Sequence, residues 1–171
     1  MKNVLDGYEY QRNLTPEQFA NMTDWLLQWQ AREKDRSFSV VLIEFPDVGA
    51  LGDALGAKLA AELIRRVEAE VIASLRNTDM MCRVRASTFW VLLPQGHPGA
   101  VVDRLDPILS AAREDGLDAS HLTIAKLTVS PTEKLDAHAL RLFERVRAVR
   151  DQVSRPRRDP FGPDAAAASA E

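Results

Sequence analysis

The sequence predicts an α+β fold in which one sheet is layered with helices. Three observations predict it. Residues 38–45 (FSVVLIEF) form a β-branched and aromatic run that reads as a buried central strand. Apolar residues recur at three- and four-residue spacing on both sides of that run, as in amphipathic helices. Two short apolar runs, residues 81–84 and 89–93, flank a tight connection and read as a hairpin. From Phe38 onward the predicted order is β-α-α-β-β-α-β-α, with no internal repeat.

The elements follow in chain order. Thr15-Pro16-Glu17-Gln18 reads as a helix start: Thr15 can cap, Pro16 suits the first helical position and Gln18 completes a capping box. Phe19, Met22, Leu26 and Trp29 then make one apolar face, and the charged run 32–36 leads to the central strand. After Pro46-Asp47 comes a short helical piece expected to be broken by Gly49, Gly52 and Gly56. A long helix follows with Leu59, Leu63, Val67, Val71 and Leu75 at i, i+4 steps, ending near Asn77. Beyond the hairpin, residues 101–113 form a helix expected to bend or restart at Pro107, which has no N–H to give. A strand over 122–129 and a helix over 136–153 complete the domain, the latter with Leu140, Phe143, Val146 and Val149 inward. The proline- and alanine-biased stretch from Ser154 is expected to be disordered. The chain thus divides into a lead-in (1–36), a globular domain (37–153) and a tail (154–171).

The totals exclude several classes. In 171 residues with 46% hydrophobic and 27% charged side chains there is enough material for one unstapled core. A net charge of −3 gives no general attraction to nucleic acid or to an anionic membrane. The single Cys82 allows no intramolecular disulfide and reads as a small buried hydrophobe. No run approaches the ~20 apolar residues of a membrane span. Residues 1–10 lack the apolar stretch of a secretion signal, so a cytoplasmic location is expected.

The strand end Leu42-Ile43-Glu44-Phe45, the segment from Leu55-Gly56 through Val67 and the stretch from Cys82 to Pro94, in this order and spacing, resemble the GGDEF domain of diguanylate cyclases over about residues 38–150. The strand ending LIEF is similar to the family's first strand, whose end carries a metal-binding aspartate. Leu55-Gly56 through Ile64-Arg65-Arg66-Val67 is similar to its FGHxxGDxxLRRV helix. Cys82-Arg83-Val84, then Arg85-Ala86-Ser87-Thr88-Phe89, then Trp90 to Pro94, is similar to aRyGGDEFxxlLP. The resemblance implies a central, mostly antiparallel sheet flanked by helices, of nucleotide-cyclase type.

The departures bear on activity. Arg85 and Ala86 stand where the family has two glycines, whose bare backbone lets the nucleotide approach. Ser87 and Thr88 replace the acidic pair, Glu44 stands at the first metal position, and Pro46 replaces the second aspartate. Gly52 and Ala61 align with the family's guanine-contacting asparagine and aspartate. The N-terminal DxLTGLxNR signature is not recognisable. The family's chemistry uses Mg²⁺ held by carboxylates and phosphate oxygens, so no cyclase activity, no catalytic residue and no metal or other cofactor are expected.

Arg76-Asn77-Thr78-Asp79 precedes the degenerate RASTF by five residues, the spacing of the family's inhibitory RxxD site for cyclic di-GMP. Arginine presents a fork of donors suited to guanine O6 and N7 or to phosphate, and a carboxylate can accept from guanine N1–H and N2–H₂. In the family a further arginine comes from the helix after the hairpin; Pro107 aligns with it, and Arg104 lies about one turn earlier. The expected ligand residues are therefore Arg76, Asp79 and Arg104, with cyclic di-GMP as a regulatory ligand. An alternative stays open: Arg76 and Asp79 pair with each other, or Asp79 bonds backbone amides at the turn, in a protein–protein interaction module of bacterial signalling.

His97, His121 and His138 lack metal-ligand spacing. Arg141, Arg145, Arg147, Arg150, Arg155, Arg157 and Arg158 read as a solvated basic face, without the aromatic interleaving of a nucleic-acid surface. Trp25 and Trp29, four apart, read as core or as a dimer or partner groove.

Overall fold

The computed structural model describes residues 13–33, 36–95, 98–130 and 138–154. Its elements are β1 (Asn13–Leu14), α1 (Pro16–Arg32), β2 (Phe38–Glu44), α2 (Val48–Leu55), α3 (Ala57–Ser74), β3 (Met80–Arg85), β4 (Thr88–Leu93), α4 (Pro98–Glu114), β5 (Thr123–Val129) and α5 (Ala139–Ser154). The five strands form one sheet in the order β1-β3-β4-β2-β5. β2 is antiparallel to both β4 and β5, and β3 to β4; the two-residue β1 runs parallel to β3.

The two-residue period of a strand sends alternate side chains of β2 to opposite layers. Val41 and Ile43 join Leu63, Val67 and Val71 of α3 and Leu105 and Leu109 of α4. Val40 and Leu42 join Phe19, Leu26 and Leu27 of α1 and Leu142 and Val146 of α5. A strand buried on both faces shows no apolar–polar alternation, and residues 38–43 are apolar except Ser39, whose buried hydroxyl is paired with that of Thr128 (2.9 Å). The capping box at Thr15 is present: Thr15 Oγ1 accepts from the Gln18 N–H (3.2 Å), and Gln18 Oε1 accepts from the Thr15 N–H (3.0 Å).

Several expectations are corrected. Gly49 and Gly52 lie inside an unbroken α2, whose start is capped by Asp47 Oδ1 accepting from the Ala50 N–H (2.9 Å); the break falls at Gly56, with φ +84°. Helix α4 runs through Pro107 without restarting. Pro107 and Asp103, whose carbonyl the missing N–H would have met, are both exposed, so water can take the place of the lost bond. On α3, Leu59 is 51% exposed and Ala60 and Ile64 are buried with Leu63, Val67 and Val71. On α5, Leu140 is 71% exposed, and Ala139, Leu142 and Val146 are buried.

Helices α1 and α5 are tied together as well as to the sheet. Asp24 Oδ1 accepts the Ala139 N–H at the start of α5 (2.5 Å). The buried Gln30 amide donates to the carbonyls of Val129 (2.7 Å) and Arg36 (3.2 Å), fixing the C-terminal end of α1 to the end of β5.

Candidate functional site

Of the open grooves beside strand β3, two lie on opposite sides of the sheet and meet the sequence-predicted positions. The first, of about 490 Å³, lies between α2, α3 and the β3–β4 turn, with Gly49, Gly52, Ala57, Ala61 and Ile64 on the helical side and Arg83 and Ala86 on the other. Glu44 ends β2 beside it, in register with Thr88 of β4 and Thr123 of β5. The turn is locked to β2 by the Phe45 N–H donating to the Ser87 carbonyl (2.9 Å). Arg83 donates to both oxygens of Glu68 on α3 (3.0 and 3.3 Å) and to the Ala86 carbonyl (3.2 Å), with its guanidinium 5.8 Å from the Phe89 ring centre. That arginine therefore bridges helix and turn. Among the described residues, no three His, Cys, Asp or Glu side chains come together as a metal site.

The second groove, of about 470 Å³, lies between α1 and the turn that joins α3 to β3. The turn is closed by Asp79. Its N–H donates to the Arg76 carbonyl (3.0 Å), its Oδ2 accepts the Arg76 N–H (2.8 Å), and Thr78 Oγ1 stands 3.5 Å from its Oδ1. Asp79 is 6% exposed, whereas Arg76 is exposed and its guanidinium has no bonded partner among the described residues. Of the alternatives the sequence leaves open, the backbone bond is present and an Arg76–Asp79 ion pair is not. Asp79 also lines the groove with Asn77, Met80, Pro94, Trp25 and Trp29. Arg104 stands exposed on α4, which packs against α3, and does not line this groove.

The two indoles are nearly parallel, with ring centres 5.9 Å apart at 6°, and the Arg36 guanidinium lies 5.4 Å from the centre of Trp29. Trp29 is partly buried against the core, but Trp25 is 55% exposed. The i, i+4 spacing of the pair was the signal in the sequence; its meeting with Asp79 depends on where the sheet puts the turn, which spacing cannot show.

The remaining candidates are structural or solvated. Cys82 is buried, and burial pushes its thiol pKa up. His121 Nδ1 accepts the Asp118 N–H (3.2 Å), and bonds from Ser120 hold the Asp118 carboxyl below its ordinary range. His138 is exposed, and His97 lies outside the described residues. Arg141 pairs with Glu144 (3.6 Å) on the surface, and Arg147 lies 6.0 Å from the Trp90 ring centre; Arg155, Arg157 and Arg158 are outside the described residues. Among the described residues, no helix is long and apolar enough to cross a membrane.

A five-stranded, mostly antiparallel sheet flanked by five helices, with a hairpin beside a cleft at the end of the central strand, is an α+β fold of nucleotide-cyclase type. The chain belongs to the GGDEF domain family, whose members are usually diguanylate cyclases: the family's sequence model matches residues 17–124, from the first turn of α1 into β5. Solved structures agree on the fold. The GGDEF domain of YfiN (TpbB) from Pseudomonas aeruginosa superposes with a TM-score of 0.58 at 18% identity, covering 82% of this chain and 89% of that one. The active GGEEF domain of a diguanylate cyclase from Vibrio cholerae gives 0.58 at 11% identity, covering 80% and 87%. The GGDEF domain of DgcB from Caulobacter crescentus, in complex with c-di-GMP, gives 0.57 at 12%, covering 86% of each. A search of curated protein sequences found no match.

Proposed function

We propose that this chain is a GGDEF-family regulatory protein that does not make cyclic di-GMP and instead binds it at the Arg76–Asp79 turn. The observation that carries the reading is the contrast between the two grooves. In the first, the positions that resemble the family's metal and guanine ligands are occupied by Ser87, Thr88, Gly52 and Ala61. Glu44 is the one carboxylate left among those positions, and this donor set does not fit a pair of Mg²⁺ ions, each of which is normally held by one or two carboxylates. Arg83 is committed to Glu68 and to the turn. Beside the second groove the RxxD pair keeps its spacing, on a turn whose geometry Asp79 itself fixes; Asp79 lines the groove and Arg76 stands outside its lining.

The arrangement suits an anionic purine dinucleotide. Arg76 is solvent-accessible, and its fork can engage phosphate or guanine O6 and N7. Asp79 uses one oxygen on the Arg76 N–H, and a carboxylate has about four acceptor positions, so capacity remains for guanine N–H donors. Because Asp79 is already immobile, little side-chain entropy is lost on binding.

The test is a calorimetric titration with cyclic di-GMP beside a turnover assay with GTP and Mg²⁺. A dissociation constant on the order of micromolar, about −8 kcal/mol, is expected, with most of that affinity lost in Arg76→Ala. Arg104→Ala should weaken binding only if α4 closes over the ligand. No cyclic di-GMP should form from GTP, even after the GGDEF string is restored at positions 85–89, because Gly52 and Ala61 would remain. Product formation that disappears in Glu44→Ala would refute the inactive assignment. Absence of binding at a hundred micromolar would refute the receptor assignment in favour of a protein-interaction module.

A further inference from the structure

We propose that Trp25 is a stacking platform for one purine base of the cyclic dinucleotide, which gives the RxxD site a third, aromatic wall contributed by α1. The proposal rests on the reading of the Arg76–Asp79 turn as a ligand site.

The buried face of α1 is made by Phe19, Thr23, Leu26, Leu27 and Gln30, so the core does not need Trp25. A tryptophan 55% exposed is costly to leave in water, yet this one is held in place. Its indole lies parallel to Trp29, and Trp29 is in turn covered by Arg36. A ring fixed in this way loses little freedom when a second flat ring covers it. The groove it lines has Asp79 and Asn77 on the facing turn and Pro94 at its end. Its volume of about 470 Å³ falls within the range of ~300–1,000 Å³ usual for ligand pockets. Apolar walls with a carboxylate on one side suit a flat heterocycle that carries N–H donors along one edge. A guanine stacked on Trp25 would present that edge to Asp79, while Arg76 holds the anionic part of the ligand from solvent. The division of labour follows from the chemistry: the carboxylate selects guanine, and the indole adds affinity without selecting a base, because every base has a π-face.

The test uses the full chain and cyclic di-GMP as the probe, with calorimetry and ligand-free melting on four proteins: wild type, Arg76→Ala, Trp25→Ala and Trp25→Phe. Base–aromatic stacking predicts a roughly five- to hundredfold loss of affinity in Trp25→Ala, retention of most of the affinity in Trp25→Phe, and little change in the melting of either ligand-free variant. Ligand should quench tryptophan emission in the wild type and lose most of that effect in Trp25→Phe. If the wild type binds, Arg76→Ala does not, and Trp25→Ala stays within twofold of wild type, the platform is overturned while the RxxD reading stands. If the wild type does not bind, both fall. If Trp25→Ala changes self-association and leaves affinity unaltered, the groove is an interface between copies of the chain and the platform is again overturned.

Discussion

Replacing Asp79 by alanine separates the structural and ligand-binding duties of the RxxD turn. The side chain is 6% exposed and its Oδ2 receives the Arg76 N–H at 2.8 Å. A hydrogen bond to a charged group is worth about 1.5–3 kcal/mol. The Arg76 backbone borders solvent, so water can recover part of the loss, and a cost of about 1.5–2 kcal/mol is expected. For a chain of this size, each kcal/mol moves the midpoint by about 2–4 °C, which gives a fall of about 3–8 °C. Asp79→Asn keeps a carbonyl acceptor without the charge and should lose about half as much. Arg76→Ala should stay within ~0.5 kcal/mol of wild type, because the guanidinium is exposed and only the retained backbone N–H meets Asp79. Urea unfolding at constant m, repeated by thermal melting, measures all four proteins without ligand. If Asp79→Ala melts within a degree of wild type, the backbone bond is not what holds the turn. An Arg76→Ala loss as large as that of Asp79→Ala would show a side-chain ion pair in its place.

Two further outcomes check the fold at separate points. Gly56→Ala should cost about 1–3 kcal/mol: a Cβ there meets nothing within 4 Å, but φ +84° is strained for any L side chain, so an unchanged urea midpoint would refute the sharp break between α2 and α3. Cys82 should resist iodoacetamide until the chain unfolds, because burial raises its folded pKa and withholds the thiolate. The sign is that of an acid shifted upward, with native stability intact below the unfolded pKa and declining as pH rises towards the folded one; fast labelling of the native protein would refute its burial.

The sequence announced the elements well and the facing of two helices poorly, and the reason is angular. Leu59, Leu63, Val67, Val71 and Leu75 form a pure i+4 ladder. At about 100° per residue each such step advances by about 40°, so the first and last members end some 160° apart. They cannot share one buried face of a continuous helix: the structure leaves Leu59 exposed and passes the start to Ala60 and Ile64, while Leu75 reaches the same core as the cap beyond the helix's last residue. The i+3 ladder Leu140–Phe143–Val146–Val149 drifts the other way, leaving Leu140 exposed and Leu142 buried. Gly49 and Gly52 misled because helix propensity is a weak prior that Asp47 capping and the packing of Leu51 override. Strand β1 is two residues long and shows no pattern of its own. At the candidate site, Arg76 and Asp79 were legible from their distance to RASTF, but the groove that Asp79 shares with α1 joins residues more than forty positions apart and needed the sheet to exist first.

Helix α1 acts as a tie-beam in this architecture. One of its residues caps α5, another holds the last carbonyl of β5, and the indole between them walls the groove at the RxxD turn. Asp24, Trp25 and Gln30 lie within two turns of one rigid rod, so no outward swing of that rod could release one fastening and spare the others. Uncapping of α5, loss of the Val129 bond and opening of the groove would occur as a single mechanical event.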